Sequence, residues 1–158
     1  MMIVDTLVGI FVNAVVFPVL LWAAGLKPPP HLQGPDGAIV DAVMATICPV
    51  GLMTLVMTLV LRARFARTPP PGRYGGGWLG FVPRNVIART ILFVLVAAAV
   101  LVPLRVAVTL GLGMLPMTGR SHGLLNLCHG AVIGALFMPV IFVAALADRR
   151  ATTFGSSR

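Results

Sequence analysis

Charge is what this sequence has least of. Only 10% of its 158 residues are Asp, Glu, Lys or Arg, against about 25% in soluble globular domains. So few charges cannot cover the surface of a water-soluble domain, and 58% of the chain is hydrophobic. The soluble and disordered classes are excluded, which leaves an integral membrane protein. Glu is absent, and the acids are Asp5, Asp36, Asp41 and Asp148. No two of them are placed as a pair for acid–base work.

Cysteine is nearly absent too. Cys48 and Cys128 sit inside apolar runs, with no CxxC pair and no metal-ligand spacing. That argues against a disulfide framework, a thiol-redox centre and a metal site. Both are read as small packing residues. There is no HExxH and no G-x-S-x-G, and the Gly-rich stretch Tyr74–Gly80 lacks the Lys-Ser/Thr of a phosphate loop. His122 and His129 share a helical face, whereas haem ligation across a bundle needs histidines on facing helices. No cofactor, no metal and no enzymatic activity are expected.

Long apolar runs are what the chain has in abundance. A ~30 Å hydrocarbon core takes ~20 helical residues. Four runs meet that length, at about 3–25, 38–61, 88–112 and 123–147. In lipid each must be helical, since unpaired backbone groups are too costly there. The N-terminus lacks the basic n-region of a secretory signal, so the first run is expected to stay as a membrane helix. The fold class predicted is an all-α integral membrane protein, one four-transmembrane-helix bundle in a single domain. The loop at about 62–87 divides it into two tandem hairpins. A shift of 86 residues lays Gly25-Leu26 on Gly111-Leu112, Pro30 on Pro116 and Gly37 on Gly123. That pattern fits a parallel repeat, and also chance matching of common residues.

The formal net charge is +8. In a soluble chain this would suggest nucleic acid; here the basic residues flank apolar runs, and no nucleic-acid partner is expected. Arg62, Arg64, Arg67, Arg73, Arg84 and Arg89 lie around the loop between runs two and three, and Arg149, Arg150 and Arg158 in the tail at about 148–158. The other connections hold only Lys27 and Arg120. The positive-inside rule puts both termini in the cytoplasm, with anionic lipids against the basic loop. The Arg, Ala, Gly, Pro and Val bias suits a GC-rich bacterial genome, hence a bacterial inner membrane. Trp22, Tyr74, Trp78 and Phe81 fit interfacial aromatic belts.

Helix association in lipid depends on close packing and interhelical polar contacts. Gly130-x-x-x-Gly134 and Ala38-x-x-x-Ala42 are small-residue strips on which another helix can rest. Pro18, Pro49, Pro103 and Pro139 place one kink-forming residue in each span. Asn13, Thr54 and Thr58 are read as interhelical glue.

Ionisable residues within a span are functional candidates by default. Asp41, Arg105 and His129 lie roughly 6, 12 and 9 Å below the outer ends of their spans at ~1.5 Å per residue. Asn126 lies one turn above His129. An outward-facing site is predicted from Asp41 paired with Arg105, completed by His129 and Asn126. The simpler alternative has Arg105 snorkelling outward and the others solvated separately. Asp5 and Asp148, at the inner ends of their spans, are expected to need only interfacial solvation. The role expected is a non-enzymatic, oligomerising or accessory subunit of a membrane complex. The alternative is a small transporter or channel using the Asp41, Arg105 and His129 site.

Overall fold

A computed structural model describes residues 2–11, 15, 19, 34–67 and 81–154. Among these residues the structure is all-helical, with no strand. Helix α1 is Met2–Phe11, α2 is Pro35–Arg67, α3 is Val86–Gly111 and α4 is Gly119–Phe154. Three segments are long and apolar enough to cross a membrane: Pro35–Arg67, Val86–Gly111 and Arg120–Asp148. Asn13, Pro18, Trp22, Lys27, Arg73, Tyr74, Trp78, Arg158, most of the first predicted span beyond Phe11 and the matches at Gly25-Leu26 and Pro30 lie outside the described residues.

The helices run past the limits set by hydropathy, for local reasons. Helix α2 continues from the predicted end at residue 61 to Arg67, because Leu61 and Phe65 remain buried. The Phe65 ring packs edge-on against Phe142 at 5.4 Å. Helix α3 begins on Asn85, whose side-chain Oδ1 accepts from the backbone N–H groups of Ile87 and Ala88, satisfying two of the free donors of a first turn. It ends in a Schellman arrangement: Gly113 N–H donates to Leu110 O and Met114 N–H to Thr109 O. Gly113 takes φ +59° there, a backbone region that suits glycine. Ahead of α4, Thr118 and Ser121 exchange bonds, the Ser121 N–H donating to Thr118 Oγ1 and the Thr118 N–H to Ser121 Oγ. This reciprocal cap starts the helix before the predicted residue 123. Pro49, Pro103 and Pro139 all lie inside continuous helices.

The main pairings are α2 with α3, α2 with α4, and α1 with α4. The core lies between the helices: Val50, Met53 and Leu61 of α2, Phe93, Ala97 and Leu101 of α3, and Ile133, Phe137, Met138 and Ile141 of α4. Large side chains such as Leu52, Leu95, Leu124 and Leu136 are exposed on the outside of the helices.

The small-residue strips are occupied within the chain. Ala38, Ala42 and Gly130 are buried. A Cβ on Gly134 would lie 2.6 Å from Ile10 Cα and 2.9 Å from Gly9 C. The α1 backbone therefore rests directly on Gly134, and only glycine allows so close an approach.

Candidate functional site

The polar site forms where three helices begin or end. Asp41 is less than two turns into α2, Arg105 is in the last third of α3, and His122 and Asn126 occupy the first two turns of α4. Helix α2 runs parallel to α4 and antiparallel to α3, so these positions fall at one level. Arg105 Nη2 donates to Asp41 Oδ2 at 2.5 Å and to Asn126 Oδ1 at 2.6 Å. His122 Nε2 lies 2.8 Å from Asp41 Oδ1. Asn126 Nδ2 approaches the His122 ring at 3.2 Å. The carboxylate is thus held through both oxygens, by a guanidinium from one neighbour and an imidazole from the other.

Burial makes the arrangement demanding. Arg105 is 3% exposed, and the Asp41 and His122 side chains 12% each. An isolated charge at such a position is strongly disfavoured, and a paired one is tolerated only with good geometry. Even so, Arg105 Nη1 is buried and has no hydrogen-bond partner among the described residues.

Asp41, Arg105 and Asn126 are brought together as the predicted site has them. His129 is not among their partners. It sits ~10 Å further along α4 than His122, seven residues at ~1.5 Å each, and its Nε2 lies 2.9 Å from Thr46 Oγ1. The Thr46 hydroxyl proton goes to Ala42 O at 2.7 Å, so the His129 Nε2–H is the donor. Sequence reasoning missed His122 as the Asp41 partner. The signal was its spacing of four from Asn126, which puts the two side chains on one face, one turn apart.

A second charged cluster closes the opposite end of the same three helices, and it corrects the expectation that Asp148 needs only interfacial solvation. Arg62 reaches Asp148 Oδ2 through Nε at 2.9 Å and Nη2 at 2.7 Å. Arg89 Nη2 donates to Asp148 Oδ1 at 2.6 Å, and Arg89 Nε to Pro83 O at 3.1 Å. Arg62 also donates to the Arg84 carbonyl. Arg89 is 1% exposed, so it is a buried structural cation rather than only a topological charge. The first turn of α3 contains no acid. Asp148 therefore supplies the negative charge that Arg89 meets. Comparisons with protein-family models, curated proteins and solved structures gave no match. No group of three or more His, Cys, Asp or Glu able to hold a metal occurs among the described residues.

Proposed function

We propose that this chain is a small, non-enzymatic multi-pass membrane protein that handles a polar solute through Asp41, Arg105, His122 and Asn126, as a transporter or channel. The observation that carries this reading is the convergence of three helices on Asp41 with Arg105 at 3% exposure. Apolar packing would hold three helices together at lower cost, so a buried, incompletely satisfied ion pair favours a functional role. His129, bonded to Thr46, extends the polar surface one level deeper. Arg64, Arg67 and Arg84, near the Asp148 end, favour a cytoplasmic placement of that end beside anionic lipid, in a bacterial inner membrane with both termini inside.

The test is solute flux into proteoliposomes, followed by stopped-flow light scattering with urea, glycerol and salts. Asp41→Asn, Arg105→Gln and His122→Gln each change the flux severalfold while the protein still folds and assembles. Unchanged flux in all three variants rejects the site.

A role as an oligomerising or accessory subunit is favoured by one observation. Helix α1 rests on α4 alone among its main contacts, leaving Ile3, Val4, Leu7 and Phe11 exposed. Gly134 faces α1 within the chain, so a second copy or a partner would meet that outer α1 face. Cross-linking through cysteines at Val4 and Leu7 checks this; a monomer in native membranes rejects it.

A further inference from the structure

Among the described residues, the buried side-chain atoms without hydrogen-bond partners are Arg105 Nη1, Thr54 Oγ1, Thr58 Oγ1 and Arg89 Nη1. They are not scattered. One belongs to each charged cluster, and two lie on α2 between them. Thr46, Val50, Thr54, Thr58 and Arg62 follow one another at four-residue steps along α2, each next to the one before it on the helix surface. This row meets α4 at both ends, through Thr46 with His129 and Arg62 with Asp148. Thr54 and Thr58, both 0% exposed, are the buried steps of this seam between its two contacts with α4. Val50, Ile133 and Ile141, also 0% exposed, fill the packed core beside them. A dry seam strands every one of these polar atoms at an energetic cost. A seam that admits water satisfies all of them.

We propose that Arg62, Arg89 and Asp148 form a second gate, and that Thr54 and Thr58 line a passage between the two gates. The packed arrangement is then the state with both gates closed. This rests on the transport reading of the Asp41 cluster and adds its missing half: a route, an opposite gate and a class of cargo. No charged residue lies between Asp41 and Arg62 in α2, between Arg89 and Arg105 in α3, or between His129 and Asp148 in α4. An ion in the middle would have no counter-charge. The passage takes water or a small uncharged hydrogen-bonding solute, which the Thr hydroxyls can both donate to and accept from.

The experiment is cysteine accessibility in the full chain, in native membranes, with Cys48→Ala and Cys128→Ala removing the native thiols. Thr54→Cys and Thr58→Cys are exposed to a membrane-impermeant thiol reagent from the Asp148 side. Both stay unreactive while the gate is intact. Asp148→Asn or Arg62→Gln releases it, and the Thr58→Cys labelling rate rises about tenfold or more, as expected for a local opening equilibrium. Asp148→Glu, which keeps the charge, retains protection. Met138→Cys, placed where Met138 faces Gly9 of α1, stays unreactive throughout. Should Asp148→Asn fail to accumulate, Arg62→Gln carries the test, since that side chain is already 33% exposed. The gate is overturned by protection that persists in the released variant, by labelling with the gate intact, or by equal labelling at Met138→Cys. Labelling needs no transport. Gate-dependent labelling with unchanged flux in the Asp41, Arg105 and His122 variants would reject the solute role and leave the gate standing.

Discussion

The two ends of the bundle solve one problem with different parts. At one end Asp41 of α2 is held by Arg105 of α3 and His122 of α4. At the other, Asp148 of α4 is held by Arg62 of α2 and Arg89 of α3. Each carboxylate draws the same three helices together. The Asp41 end uses one guanidinium, an imidazole and an amide; the Asp148 end uses two guanidiniums on a single acid. The first builds around its acid from mixed side chains, the second from one side-chain type used twice. The comparison separates a mixed end from a uniform one.

The largest expected effect breaks the uniform end. Asp148→Ala strands two guanidiniums, one of them 1% exposed, and costs about 3–5 kcal/mol, read as a lower midpoint in SDS unfolding. Asp41→Ala strands one guanidinium, Arg105, which keeps Asn126 as an acceptor, so it should cost less; the reverse order would refute the contrast. Exchanging charges sharpens it: Arg105→Asp combined with Asp41→Arg recovers most of the stability lost in Arg105→Asp alone, and no recovery would refute the ion pair's role. Next comes Gly134→Ala, whose added methyl meets α1 backbone; the overpacking costs about 1–3 kcal/mol. Gly9→Ala meets only the flexible Met138 side chain and should cost distinctly less by the same assay. The smallest effect is His129→Gln, which loses one interhelical bond to Thr46, roughly 0.6 kcal/mol. A larger loss there would mean that His129 belongs with the Asp41 cluster after all.

Much of the helical organisation was legible because run length alone reports it. The three long segments fall where the apolar runs do. Their ends were less legible, since Asn85, Thr118 and Ser121 act through local bonds that hydropathy ignores. Three of the four members of the Asp41 cluster were legible: Asp41, Arg105 and Asn126 all lie towards the same end of their apolar runs. His122 was passed over because the helix starts earlier than the apolar run suggests. Arg62 and Arg89 were hidden by their own class. In a chain whose basic residues gather around one loop, a structural arginine has the same sequence signature as a topological one. Only the tertiary position of Asp148 tells them apart.

The resting of α1 on α4 through Gly134 has a consequence for the order of events during synthesis. The described part of α1 finds its principal neighbour in α4. Until α4 emerges, α1 has neither its glycine seat nor Met138 to pack against, while α2 and α3 can already join as a hairpin. Asp148 arrives later still, near the end of α4, and only then do Arg62 and Arg89 acquire their acid. Closure of the bundle therefore waits for Asp148, and a ribosome stalled before that residue would hold a nascent protein with Arg62 and Arg89 still waiting for their partner.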